Sequence, residues 1–228
     1  KMKNNDLLII IFDRIVNVQC AYSLTSTPSA PIIWDKNNNK GECKVLIINS
    51  GNANAHTGNR GIKIIEKYVL EIIKKLKCNK SQVLVSSTGV IGEVFNPLKI
   101  IRSIKKIKDF SNSDLLGAAK AIMTTDTYPK TYIKTIKIQN KKIKIYGFVK
   151  GSGMIQPNMG TMLAYIFIEC ELTKKQLKKL LKENIDDTFN SISVDGDTST
   201  SDTLMLFSVP KNNINIDNKK NYDLISKS

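Results

Sequence analysis

The sequence predicts a layered, mixed α/β sandwich with helices on the outside and sheets within. Three observations lead there. Short runs of β-branched and aliphatic residues alternate with segments of helical periodicity. Hairpin-like strands gather late in the chain. And 228 residues, 41% of them hydrophobic and 24% charged, make a globular composition able to bury about 70% of the unfolded surface.

The elements follow in order. Leu7–Phe12, Lys44–Ile48 and Gln82–Ser86 are short apolar runs bounded by polar or glycine-containing turns, as central strands require. Leu7–Phe12 is also too short for a membrane span or the core of a signal peptide. Within 61–77, Ile62, Ile65, Val69, Ile72 and Leu76 recur at three and four, with Tyr68 and Ile73 widening the stripe, which is an amphipathic helix. Pro97–Lys108 repeats the pattern with Ile100, Ile101, Ile104 and Ile107, and its proline suits a first helical turn. Asp114–Met123 is a further short helix. Two strand-like runs within 136–149 flank Gln139-Asn140-Lys141 as a hairpin, and Thr161–Glu169 and Leu204–Val209 are strands. Thr173 begins a helix, with Gln176 placed for a capping box and Leu177, Leu180, Leu181 and Ile185 on one face. The tail after Pro210, rich in Asn and Lys, reads as mobile.

The net charge of +15 raises the question of nucleic acid, but its make-up argues otherwise. Of 35 basic residues 32 are lysine, whereas base and phosphate recognition leans on the planar arginine fork. Ile and Asn are abundant too, at 32 and 22. Lys, Ile and Asn share A/T-rich codons, so drift on a solvated surface explains all three together. A basic binding module therefore has only the charge in its favour. Cys20, Cys43, Cys78 and Cys170 show no CxxC spacing and no nearby histidine, which points to free thiols in a reducing compartment and away from zinc.

Four segments do not look like ordinary filler. Asn49-Ser-Gly-Asn-Ala-Asn-Ala-His-Thr-Gly58 is a small, amide-rich loop after a strand, suited either to binding an anion or to a tight strand–helix turn. It holds His56, which has no Ser or Cys partner to make a triad. Ser86-Ser-Thr-Gly-Val-Ile-Gly92 ends a strand and can aim the Thr88 hydroxyl and the Gly89 N–H into a cleft, as an oxyanion hole requires. Ala121-Ile-Met-Thr-Thr-Asp-Thr127 sets threonines around an aspartate. Lys150-Gly-Ser-Gly-Met-Ile-Gln-Pro-Asn-Met-Gly-Thr-Met-Leu163 lacks the phosphate-loop spacing but places Gly160-Thr161 at the start of an apolar strand. Cutting that bond would give Thr161 an α-amine of pKa about 7.7–8.0, able to take the proton from its own hydroxyl.

With VDGDTSTSDT at 194–203, these segments stand in the order in which they occur in the bifunctional ornithine acetyltransferase/N-acetylglutamate synthase family of arginine biosynthesis, which the chain resembles over most of its length. The resemblance implies an α-β-β-α sandwich of the self-processing N-terminal-threonine type. It implies a cut between Gly160 and Thr161, giving an α-chain-like part, 1–160, and the start of a β-chain-like part, 161–228. Thr161 would be the nucleophile, Thr88 and Gly89 the oxyanion hole, and Thr124, Lys150 and Thr161 the substrate-binding positions. It further implies ping-pong acetyl transfer from N-acetylornithine to glutamate, with acetyl-CoA as a donor in some members and neither metal nor cofactor. Cytoplasmic αβ units in a higher oligomer would be expected, with no nucleic-acid or membrane partner.

The chain departs from the family's pattern in three places. Gly160 stands where the residue before the cut is usually alanine, and His56 where a small residue is common. The family also continues past the VDGDTSTSDT segment, with a substrate-contacting glutamate and C-terminal residues that close the site. The chain is therefore expected to be a fragment or one part of a split protein, with an inactive fragment of the acetyltransferase as one alternative. A self-processed N-terminal-threonine amidase or aminopeptidase, with water in place of glutamate, is the other alternative.

Overall fold

The computed structural model describes residues 6–108, 114–151, 162–192, 198–211, 216 and 218–228. Seven strands join in one mixed sheet of order β3-β2-β1-β7-β6-β5-β4. They are β1 (Leu7–Tyr22), β2 (Glu42–Asn49), β3 (Val83–Ser87), β4 (Lys130–Ile138), β5 (Lys141–Lys150), β6 (Leu163–Ile168) and β7 (Thr203–Ser208). The helices are α1 (Ala30–Asn38), α2 (Gly58–Leu76), α3 (Leu98–Lys106), α4 (Leu115–Ala121), α5 (Lys174–Asn184) and α6 (Lys219–Ser226).

The long strand β1 is what makes one sheet into two layers. Leu7–Ile11 pair with the end of β2, Asn17–Tyr22 pair with β7, and the register shifts between Ile11 and Val16. Such a bulge bends and twists a strand. One core takes Leu46, Ile48 and Leu84 from the first half of the sheet and Phe148, Leu163, Tyr165 and Phe207 from the second. The halves therefore face each other across it. Phe207 is the hinge of this packing, with ring centroids 5.0 Å from Phe167 and 5.2 Å from Phe12.

Two further cores lie outside this pair. Val45, Ile47, Val83 and Val85 meet Trp34 of α1, Ile65, Tyr68 and Ile72 of α2, and Ile100 and Ile104 of α3. Ile143, Ile145, Ile168 and Leu206 meet Leu177 and Leu180 of α5 and Tyr222 and Ile225 of α6. Three cores thus separate four layers, helix–sheet–sheet–helix, as the resemblance implied. The alternation of side chains along each strand explains it, because odd and even positions of β2, β6 and β7 fall into different cores.

Most elements match their expected positions. The turn Gln139-Asn140 has positive φ at both residues, 50° and 61°, the geometry that closes a two-residue hairpin. Thr173 accepts from the Gln176 N–H at 3.2 Å and Gln176 Oε1 accepts from the Thr173 N–H at 2.8 Å, completing the capping box of α5. The mobile-tail expectation is corrected for 219–226, while 212–215 and 217 lie outside the described residues. Residues 219–226 form α6, capped by Asn218 and held by burial of Tyr222 and Ile225.

Parts 1–160 and 161–228 are interleaved. Strand β6 lies between β5 and β7, and β7 lies between β6 and β1.

Candidate active site

The site residues lie at strand ends. Ser87 pairs with Asn49 at the close of β3 and β2. The loops that follow zip together: Thr88 N–H donates to Asn49 O at 3.0 Å, Val90 N–H to Gly51 O at 3.2 Å, Ala53 N–H to Val90 O at 2.8 Å, and Gly92 N–H to Ala55 O at 2.9 Å. The amide-rich sequence 49–58 serves this seam. Ser87 Oγ donates to Asn49 Oδ1, Asn49 Nδ2 to Asn52 O, and Asn54 N–H to Asn52 Oδ1. His56 is exposed.

Gly89 has φ of +125°, and a Cβ there would fall on the main chain of Gly51 and 2.6 Å from the Asn52 nitrogen. Only glycine lets the two loops approach so closely. Thr88 is 1% exposed. Among the described residues, neither its hydroxyl nor the Gly89 N–H has a hydrogen-bond partner.

A second cluster forms where β5, β6 and β7 begin or end. Lys150 is in register with Leu163, and Leu163 with Thr203, so Lys150, Met162 and Asp202 share one rim. Lys150 is 1% exposed and donates to Thr124 Oγ1 at 3.0 Å. Burial lowers its pKa to about 8 against the raising effect of Asp126 and Asp202, with Lys130 adding to the fall. Asp202 Oδ1 accepts from the Met162 N–H at 2.7 Å. Burial pushes the Asp202 carboxyl up, opposed by that N–H, by Ser199 and by the charge of Lys150.

One bond ties the two clusters. Ser50 Oγ donates to Ala121 O at 2.8 Å, so the loop after β2 is fastened three residues before Thr124. The structure thus places Thr88 and Gly89 in one loop pair, and Thr124 and Lys150 in direct contact. Gly160 and Thr161 lie outside the described residues. Asp126, Lys130 and Asp202 were not singled out from sequence, although Asp126 and Asp202 stand inside the quoted segments.

A cavity of 580 Å³ opens on the other face of these strands, between β4–β7 and helices α5 and α6. It is lined by apolar residues such as Ile166, Leu180 and Leu206, and Lys130 at its rim belongs to both regions. It contains none of the candidate residues. Among the described residues, no group of three or more His, Cys, Asp or Glu could hold a metal ion, and no helix is long and apolar enough to cross a membrane.

Residues 1–227 match the ArgJ family. The chain belongs to that family. The arginine biosynthesis bifunctional protein ArgJ of Bradyrhizobium diazoefficiens is 40% identical over 204 residues, covering 89% of this chain and 49% of that protein. The ArgJ protein of Caldanaerobacter subterraneus subsp. tengcongensis is 38% identical over 208 residues, covering 90% of this chain and 52% of its own length. The chain therefore spans about half the length of the curated relatives it matches.

Solved structures agree on the fold. The crystal structure of the ArgJ protein from Bacillus halodurans shares 30% identity at a TM-score of 0.60, over 72% of this chain and 85% of that one. Ornithine acetyltransferase of Mycobacterium tuberculosis, complexed with ornithine, shares 23% identity at a TM-score of 0.52, over 69% of this chain and 84% of that one. At that identity the second likeness is one of fold alone.

Proposed function

We propose that the protein transfers an acetyl group from N-acetylornithine to glutamate through an acetyl ester on Thr161, as part of arginine biosynthesis in the cytoplasm. Self-cutting between Gly160 and Thr161 frees the threonine amine as the internal base. The Thr161 oxygen then bonds to the acetyl carbon, the amide C–N bond breaks, and the leaving nitrogen takes the proton to give ornithine. Glutamate's amine attacks the ester next, and Thr161 recovers its proton. Acetyl-CoA is a second candidate donor by the same ester.

The observation that carries this reading is the buried Lys150–Thr124 pair, 3.0 Å apart. An ammonium held out of water beside a hydroxyl suits a carboxylate, and both amino-acid substrates have one. The Thr88 hydroxyl and Gly89 N–H, neither with a hydrogen-bond partner among the described residues, support the oxyanion role, for which each donor contributes about 2.7–4 kcal/mol in comparable enzymes. The four free cysteines support a reducing compartment. Interleaved parts 1–160 and 161–228 support a processed protein whose pieces stay together as an αβ unit, and we expect such units to associate further.

The test is acetyl release from N-acetylornithine by the complete gene product, with and without glutamate. Formation of N-acetylglutamate with stoichiometric ornithine supports transfer. Free acetate at the same rate in both conditions would make the protein an amidase instead.

A further inference from the structure

The carboxylate set among the threonines of 121–127 sits at the centre of the Lys150 cluster. The Asp126 side chain is 1% exposed. Its Oδ1 accepts from Lys130 Nζ at 2.6 Å and from the Gly151 N–H at 2.9 Å, and its Oδ2 from the Thr124 N–H at 3.4 Å. These three donors belong to the turn after α4, the start of β4 and the residue following β5. Two are the main chains of Thr124 itself and of the neighbour of Lys150.

We propose that Asp126 is a positioning residue of the site: it fixes Thr124 and Lys150 as a pair and supplies the negative charge that keeps the buried Lys150 ammonium protonated for a substrate carboxylate. The proposal rests on the acetyl-transfer reading for its purpose, though not for its geometry.

The electrostatics are consistent on both sides of the pair. For Asp126, burial works to raise the carboxyl's pKa, but Lys130, the Gly151 N–H and the charge of Lys150 outweigh it and hold the group below its ordinary value. Asp126 is therefore an anion at neutral pH. Among the described residues, the charged groups around Lys150 are Asp126 from the turn, Asp202 from the segment before β7, and Lys130 from β4. The two aspartates favour the ammonium and Lys130 opposes it. Lys130 is in direct contact with Asp126, so it also neutralises part of the charge that Lys150 feels. Asp126 thus serves two cations, Lys130 partly exposed and Lys150 enclosed, with Asp202 as a second anion for Lys150.

That balance makes predictions of opposite sign. Asp126→Asn retains an acceptor for an N–H but removes the charge. Lys130→Met removes the competing cation and leaves the acceptors alone. The midpoint of Lys150 can be followed by NMR of ¹³C-labelled lysine side chains in the 228-residue chain, assigned with Lys150→Met. Asp126→Asn should move it down from about 8, by about one unit, and Lys130→Met should move it up. In the complete gene product, Asp126→Asn should raise KM for N-acetylornithine several-fold at pH 8 and little at pH 6, with kcat less affected.

A folded Asp126→Asn chain with an unchanged Lys150 midpoint would overturn the proposal. If that variant does not fold, an unmoved midpoint in Lys130→Met would do the same. If the titrations shift as stated but the wild type fails to turn over N-acetylornithine, the acetyl-transfer reading falls and the placement of Asp126 stands.

Discussion

The Lys150 ammonium donates to the Thr124 hydroxyl at 3.0 Å, although 26 residues separate them and Lys150 is enclosed. An enclosed lysine costs stability unless partners hold its charge. Here the partners are the Thr124 hydroxyl and the charges of Asp126 and Asp202, and the cost that remains is read as a lowered pKa.

Stability should therefore depend on pH through Lys150. In the folded protein burial lowers its pKa to about 8, against 10.5 ordinarily. Between these values the unfolded chain binds the extra proton, so the contribution of Lys150 to stability rises with pH across that window and its penalty is complete below it. Urea unfolding of the wild type and Lys150→Met should show their difference changing by roughly 3 kcal/mol between pH 7 and 10.5. A difference independent of pH would contradict the enclosed ammonium.

Gly89→Ala should be poorly tolerated. The added methyl group meets the Gly51 and Asn52 main chains at a φ of +125°. We expect a loss of about 2–4 kcal/mol, or loss of the loop pairing together with activity. A variant with wild-type thermal stability and turnover would show that the two loops can part freely.

Cutting after Gly160 should not separate the pieces. Strands β6 and β7 are flanked on both sides by strands, with β1 and β5 coming from the other piece. The two fragments should co-elute in native gel filtration and separate only in denaturant. Native dissociation would be incompatible with this sheet order.

The cysteines should be sluggish. Burial pushes Cys20 and Cys170 up to about 12 and Cys43 well above its ordinary value, and it also raises partly covered Cys78. A disulfide reagent at pH 8 should modify Cys78 first and all four only after unfolding. Rapid reaction of Cys43 in the native state would be inconsistent with this packing.

Periodicity was enough to read α2, α3 and α5, because each has one apolar stripe facing one core. It failed for α1, where Pro31, Ile32, Ile33 and Trp34 run together and the buried Asp35 bonds the Val85 N–H and the Tyr22 hydroxyl. The second half of β1 was missed because Asp13-Arg14-Ile15 interrupts the apolar run at the bulge, after which Val16, Val18 and Cys20 alternate with polar residues. Helix α6 depends on tertiary burial of a few residues in an Asn- and Lys-rich segment. At the site, the motif order led to Thr88, Gly89, Thr124 and Lys150. Asp126 and Asp202 were hidden because their work is done on backbone N–H groups of residues distant in sequence. The signal available was a carboxylate set among threonines in segments already noted.

The central claim is that Thr161 carries the acetyl group. Brief incubation of the complete gene product with N-acetylornithine, without glutamate, followed by peptide mass analysis, tests it most directly. The account predicts one acetyl group on a peptide beginning at Thr161, discharged by adding glutamate, and neither cut nor acetylation in Thr161→Ala. Transfer by Thr161→Ala, or an acetyl group found only at another residue, would contradict it.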